Sequence, residues 1–351
     1  MRKLNHPYFL VSVLLMLFFQ VHAQDPRFSQ YYAAPYSLNP AMTGVFNGQW
    51  RTTANYRDQW NSVLGGVPFR TYSVSGEYRY ALASDDYVAF GVGAMHDEVG
   101  TAQYQQNKAH LGFAFLKQLA GGRNRNQQYL SAGAQVGFGQ NSLDYGNLWF
   151  SRQFDSGTER PDLSAGNGEN FDKTNTPLFG DFNAGLLWYT VTRNDGFFYV
   201  GAAGHHLNEP NISLLSTNEG KLYRRWSAHT GGQLPLSETF SILPGAQVML
   251  QGPSMETDLG MNIRYFNNDL NELALRAGVW TRLANKSDKG IHADAVTLVA
   301  MLELNRWMLG LSYDLTVSSL ARANNTRGAF EVSLTYFHPE HRRSRVTCPR
   351  F

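Results

Sequence analysis

The chain of 351 residues carries 30 basic and 28 acidic side chains, a formal charge of +2, and so offers no electrostatic footprint for nucleic acid. Charged residues make up only 17% of it, aromatics reach 13% and glycines number 33, a mixture that argues against a soluble enzyme and for a β protein rich in Tyr, Phe and Gly. One cysteine, Cys348, excludes an internal disulfide framework.

Residues 1–23 read as a signal peptide. Arg2 and Lys3 lead into the apolar run Phe9 to Phe19, and Val21 and Ala23 are the small residues of a cleavage site. The run is too short and too close to that site for a membrane-spanning helix. Cleavage before Gln24 removes 2 of the 30 basic residues and leaves 28 against 28 acidic ones, a neutral mature chain. Residues 24–48 come next. Pro26, Pro35 and Pro40 forbid a long helix or a central strand there. Phe28, Tyr31, Tyr32 and Tyr36, with Asn39 and Pro40, need somewhere to pack, and the expectation is that this segment folds up into the periplasmic mouth of the strand structure that follows and closes it from below.

No later apolar run is long enough to cross a bilayer as a helix, so a membrane role falls to strands. From residue 49 the pattern has period 2: Leu130, Ala132, Ala134, Val136 and Phe138 alternate with Ser131, Gly133, Gln135, Gly137 and Gly139. Such segments predict about 14 strands, near 49–58, 69–80, 87–97, 102–117, 127–141, 178–193, 196–207, 222–235, 238–251, 256–266, 271–283, 292–304, 306–316 and 327–337. Their connections alternate between short Asn-, Asp- or Gly-bearing turns and longer loops, led by 142–177 and 208–221. That asymmetry belongs to an outer-membrane barrel with periplasmic turns and external loops. The fold class expected is therefore an all-β transmembrane antiparallel barrel over 49–337, with both termini periplasmic. Aromatics near strand ends, among them Trp50, Trp60, Tyr78, Tyr80, Tyr87, Trp188, Tyr189, Trp226, Trp280, Trp307, Tyr336 and Phe337, are expected to form two girdles.

The sequence has none of the common hydrolase, zinc-protease or paired-cysteine motifs, so neither catalysis nor a cofactor is indicated. Strict alternation would send His205 and His206 to opposite faces, a poor metal pair. Loop 156–175 holds Asp, Glu and Asn without EF-hand spacing and reads as a solvated loop. Asp258, Arg264, Arg276, Asp314 and Glu331 are expected inside the barrel, where they either line a selective channel or lock a filled lumen. The tail 338–351 carries Arg342, Arg343, Arg345 and Arg350 against Glu340, and is expected in the periplasm, with Arg342, Arg343, Arg345, Cys348 and Phe351 as candidate partner contacts.

FSQYY (28–32), NPAMTG (39–44), NYRDQW (55–60), PFRTYSVSGEY (68–78) and CPRF (348–351) resemble the PorP/SprF family of type IX secretion system outer-membrane proteins. The resemblance implies a non-enzymatic barrel of the secretion and gliding machinery. One branch of the family is expected to hold the C-terminal sorting domain of a secreted adhesin at the cell surface. The other links the membrane to a periplasmic peptidoglycan-binding protein and a lipoprotein-containing ring. A transport barrel, either a diffusion porin or a channel for hydrophobic substrates, is the alternative that the residues leave open.

Overall fold

In a computed structural model, residues 25–339 are described except 62, 65, 66, 68, 83, 84, 122–125, 169–173, 215–219, 268–272 and 286–289. The proposed leader and the tail residues Arg342, Arg343, Arg345, Cys348 and Phe351 lie outside the described residues. Fourteen antiparallel strands close into one barrel. In chain order they are β1 (Trp50–Gln59), β2 (Phe69–Ala81), β3 (Tyr87–Val99), β4 (Tyr104–Ala120), β5 (Gln127–Ser142), β8 (Phe179–Val191), β9 (Phe197–His205), β10 (Arg225–Pro235), β11 (Phe240–Gln251), β12 (Ser254–Asn267), β13 (Leu273–Asn285), β14 (Ile291–Leu304), β15 (Trp307–Thr316) and β16 (Arg327–His338). Between β5 and β8 the long loop adds a small hairpin, β6 (Phe154–Asp155) and β7 (Arg160–Pro161). Each barrel strand pairs with its sequence neighbour, and the seam is β1 against β16, from Trp50↔His338 to Gln59↔Ala329.

The outer face is what lipid requires. Val92, Leu111, Val136, Leu186, Met261, Val279 and Leu298 all point outward and are exposed. The inner face instead buries Arg, Asp, Glu, Asn, Gln and Ser side chains together with many glycines. Strands of 9 residues (β9) to 17 (β4) equal or exceed the roughly 9–11 needed to cross a bilayer at a tilt. The register shifts at Gln118/Ala120, Arg282/Leu283 and Tyr313/Leu315 sit close to strand ends, where bulges redirect a barrel rim.

Connections sort by end. One end carries the links 82–86, 121–126, 192–196, 236–239, 268–272 and 305–306; the other carries 143–178 and 206–224 along with shorter ones. These are called the short-turn end and the long-loop end below.

Four of the aromatics expected in girdles turn inward instead: Tyr87, Tyr189 and Trp280 are buried, and Phe337 packs against the interior cluster. Parity explains Trp280, because Arg276 shares its face four residues earlier and the alternation carries both into the lumen. Trp226, Trp307 and Tyr80 do face out.

The outward face generates a direct test. Leu111→Arg, in the middle of β4 and 64% exposed to the lipid side, should cost about 2–4 kcal/mol. Equilibrium refolding into phospholipid vesicles measures it, and Leu111→Ile should fold as the parent does.

Candidate functional site

The lumen holds the segment that precedes β1, and holds it along its full height. At the long-loop end Asp25 meets Lys108 of β4, His206 beyond β9, Arg225 at the start of β10 and Gln251 at the end of β11. At the short-turn end the peptide N–H of Gln49 donates to the His338 carbonyl at 2.8 Å, and Gly48, at φ 138°, passes so close to His338 that a side chain would meet its carbonyl. The expectation of a segment confined to one mouth therefore needs amending: its described start lies at the opposite end from Trp50.

Prolines and tight turns decide the segment's shape. It makes three short helical turns, Tyr31–Ala33, Pro35–Leu38 and Pro40–Met42, with Pro35 and Pro40 opening two of them. Asn39 caps the last by accepting the Ala41 N–H at 2.8 Å, while its amide nitrogen donates to the carbonyls of Leu186 (3.1 Å) and Ala202 (3.3 Å). Gly44 takes φ 80°, a conformation natural to glycine, and its N–H donates to Glu77 at 3.0 Å.

Glycines in the wall supply the space. A Cβ on Gly91 or Gly93 would strike the Tyr36 ring; on Gly133, the Pro40 backbone; on Gly185, the Asn39 side chain; on Gly310, Gln30. Tyr31 packs edge-on to Trp280 with ring centroids 5.5 Å apart, and Tyr32 lies 5.2 Å from the same ring. Phe28, Tyr31, Tyr32, Tyr36, Asn39 and Pro40 are all buried.

Two separate charge clusters flank this packing. In the long-loop half, Glu331 accepts the backbone N–H groups of Ser29 (2.6 Å) and Gln30 (2.9 Å), and Arg57 pairs with it. Asp314 accepts from the Ser29 hydroxyl and Thr297, both at 2.7 Å, and from Arg57 and Arg282, both at 3.1 Å. Asp258 joins through Arg282 at 3.4 Å. Near the short-turn end Arg264 and Arg276 share Glu303. So three of the inward charges expected from sequence, Asp258, Asp314 and Glu331, meet in one network, and Arg264 and Arg276 belong to another. Arg57, Arg282 and Glu303 complete the two networks. Their inward parity was readable from the alternation; their pairing was not, because it depends on how the barrel closes.

In the short-turn half, against β4, β5, β8 and β9, lies an apolar layer. Tyr129 and Tyr189 stack at 5.2 Å, and Leu116, Leu187, Tyr199, Met42 and Val45 fill around them, all buried. Arg51 lies 4.8 Å from the Phe46 ring centroid and is itself paired with Glu77 at 2.7 Å.

His205 and His206 both point inward, against expectation. His206 has φ 55°, which breaks the alternation just beyond β9 and swings its ring between Asp181 and Asp25, while His205 lies within hydrogen-bond distance, 3.2 Å, of the Leu38 carbonyl. Burial on its own would raise the Asp25 carboxyl; His206, Lys108 and Arg225 outweigh it and hold the group well below the usual carboxylate range. Burial likewise works against the His206 imidazolium, and Asp25 and Asp181 overcome it and raise the group. Above the long-loop end of the segment a cavity of about 370 Å³ opens, lined by Asp25, Arg27, Asp97, Tyr104, Arg225 and Glu256 among others.

Glu331→Gln should leave Arg57 short of a counter-charge and weaken the anchoring of Ser29 and Gln30, at a cost of about 3–5 kcal/mol read by denaturation in detergent micelles. The His206 contact sets a pH limb. With its pKa raised by folding, its contribution is complete below the unfolded value near 6.5 and disappears as pH rises through the raised value. Asp25 acts in the opposite sense, contributing above about 3.9 and failing only as pH falls through its lowered value. Thermal stability should therefore decline as pH rises above the ordinary histidine value near 6.5, and His206→Gln should flatten that decline.

A family model described as type IX secretion system membrane protein PorP/SprF matches residues 20–336. No curated protein matches the chain. Among solved structures, CdiB from Acinetobacter baumannii is similar over 82% of this chain and 60% of its own, with 8% identity and a TM-score of 0.46. The TodX monoaromatic hydrocarbon channel, as a deltaS2 mutant, is similar over 86% and 93% with 11% identity and a TM-score of 0.45. Omp33 from Acinetobacter baumannii gives 84% and 99%, 10% and 0.39. The chain spans 60% of the length of that CdiB chain. By its matched family and its closed strand barrel, this chain belongs to the PorP/SprF family of type IX secretion system membrane proteins and is a barrel of the outer membrane.

Proposed function

We propose that this barrel is a closed receptor that holds a secreted surface protein at the cell surface. Its long-loop end receives the C-terminal sorting domain of that cargo, and residues 25–48 keep the lumen shut beneath it. The observation that carries the reading is the filled lumen: Glu331, Asp314, Arg57 and Arg282 tie Ser29 and Gln30 in place, and the glycine-lined wall fits Tyr36, Asn39 and Pro40. A conducting porin would need that space for solute. Family membership supports a secretion component without enzymatic activity.

The long-loop end has the surface for a protein partner. Trp149, Phe154 and Leu163 of the loop 143–178 are exposed, with Trp149 and Phe154 paired at 6.2 Å beside the β6–β7 hairpin. Aromatic anchors on an otherwise polar loop are what a docking interface uses. The short-turn end, with the tail that follows β16, is the face proposed to meet the periplasmic machinery, through a peptidoglycan-binding or lipoprotein component.

Co-purification of the intact barrel from its native host should bring down a protein bearing a type IX sorting domain, and Trp149→Ala with Phe154→Ala should reduce that recovery. Recovery of the barrel alone, time after time, would refute the receptor. In planar bilayers the parent should stay silent, whereas steady single-channel currents would favour a transport barrel.

A further inference from the structure

One side chain of the lumen segment is held by four different parts of the wall. The Asp25 carboxylate lies 2.5 Å from Lys108 Nζ, 2.5 Å from His206 Nε2, 3.1 Å from Arg225 Nη1 and 3.4 Å from the Gln251 amide nitrogen. Lys108 and His206 are both buried. The wall groups are donors, and Lys108 and Arg225 carry fixed positive charge. His206 faces a carboxylate with each ring nitrogen, Asp181 at 2.8 Å on Nδ1 and Asp25 on Nε2, so both nitrogens must donate and the ring is an imidazolium. Behind it Asp181 also meets His110 Nε2 at 2.9 Å. Asp181 offsets one charge of this ring of cations and Asp25 offsets the next.

Without Asp25, the wall would present Lys108, His206 and Arg225 converging on one point with the Gln251 amide beside them. That is the composition of a carboxylate receptor: several charge-assisted donors, largely withdrawn from water, aimed at a common centre. Asp25, Arg225 and Gln251 also line the cavity of about 370 Å³ at the long-loop end, so the point is reached from that mouth.

We propose that Lys108, His206, Arg225 and Gln251 form a carboxylate-binding site, occupied in the closed barrel by the chain's own Asp25, and that an acidic group of a docked secreted protein takes Asp25's place. Exchange of one carboxylate for another leaves the charge balance of the buried site unchanged, so the exchange avoids the cost of stripping the cations of Asp25's counter-charge. It would free the start of the segment while Glu331 and Asp314 still hold Ser29, and so would couple docking at the long-loop end to the state of the lumen. The partner's identity rests on the receptor reading above; the site itself does not.

The experiment uses the full-length barrel in detergent micelles, with Asp25→Ala and the closer analogue Asp25→Asn, and follows trypsin cleavage after Arg27 by mass spectrometry. Cleavage should accelerate about tenfold or more in Asp25→Ala, the factor expected from losing a hydrogen bond to a charged group. Sodium acetate should slow it again in a saturable way that sodium chloride at equal ionic strength does not reproduce. Adding Lys108→Met and Arg225→Met to Asp25→Ala should abolish the acetate effect. Acetate and chloride acting alike on both Asp25 variants would overturn the site. An acetate effect that survives loss of Lys108 and Arg225 would also overturn it. A failed cargo pull-down with intact acetate rescue would refute the receptor reading and leave the site standing.

Discussion

The whole interior answers one constraint: a barrel wall has already spent its backbone hydrogen bonds on its neighbours. A segment of irregular chain placed inside cannot add itself to a ladder, yet its own N–H and C=O groups need partners once they leave water. Side chains of the wall supply many of them. Glu331 takes Ser29 and Gln30, Asn55 donates to the Ala33 carbonyl at 3.2 Å, Gln135 to Tyr36 at 2.9 Å, Ser131 to Ala41 at 2.7 Å, and Glu77 accepts from Gly44. The polar inner face is therefore fitted to a particular piece of backbone, and the glycines between those polar residues make room for its rings.

The same constraint explains where the family motifs fall. FSQYY contributes the two N–H groups that Glu331 binds and the rings that pack on Trp280. NPAMTG is a capped turn ending in a glycine of positive φ. NYRDQW supplies Asn55 and Arg57, and the strand after it supplies Glu77. In sequence these stretches look like separate short signatures. In space much of them is the two sides of one contact surface.

Most of the barrel was legible in the sequence, because strand existence, facing and turn length are local properties. The predicted strands 87–97 and 306–316 fall within a few residues of Tyr87–Val99 and Trp307–Thr316. The misreadings come from places where locality fails. Trp280 was assigned to an interface by its type although its parity with Arg276 placed it inside. His206 left the alternation because one residue adopts a positive φ. Asp25 looked unremarkable in a segment with little charge, since nothing nearby in sequence shows that Lys108, His206 and Arg225 converge on it.

The contact between Ser29 and Glu331 spans 302 residues. Among the described residues, the stretch that enters the interior is the earliest part of the chain, and the strand that fastens it is the last. Contacts of such long separation are slow to form, since loop-closure entropy must be met before they return anything. Glu331 reaches Ser29 and Gln30 only where β16 lies beside β1, so this contact and the seam that closes the barrel depend on the same strand. A chain that lacked its last strand would have neither that seam nor the Glu331 clasp on Ser29 and Gln30.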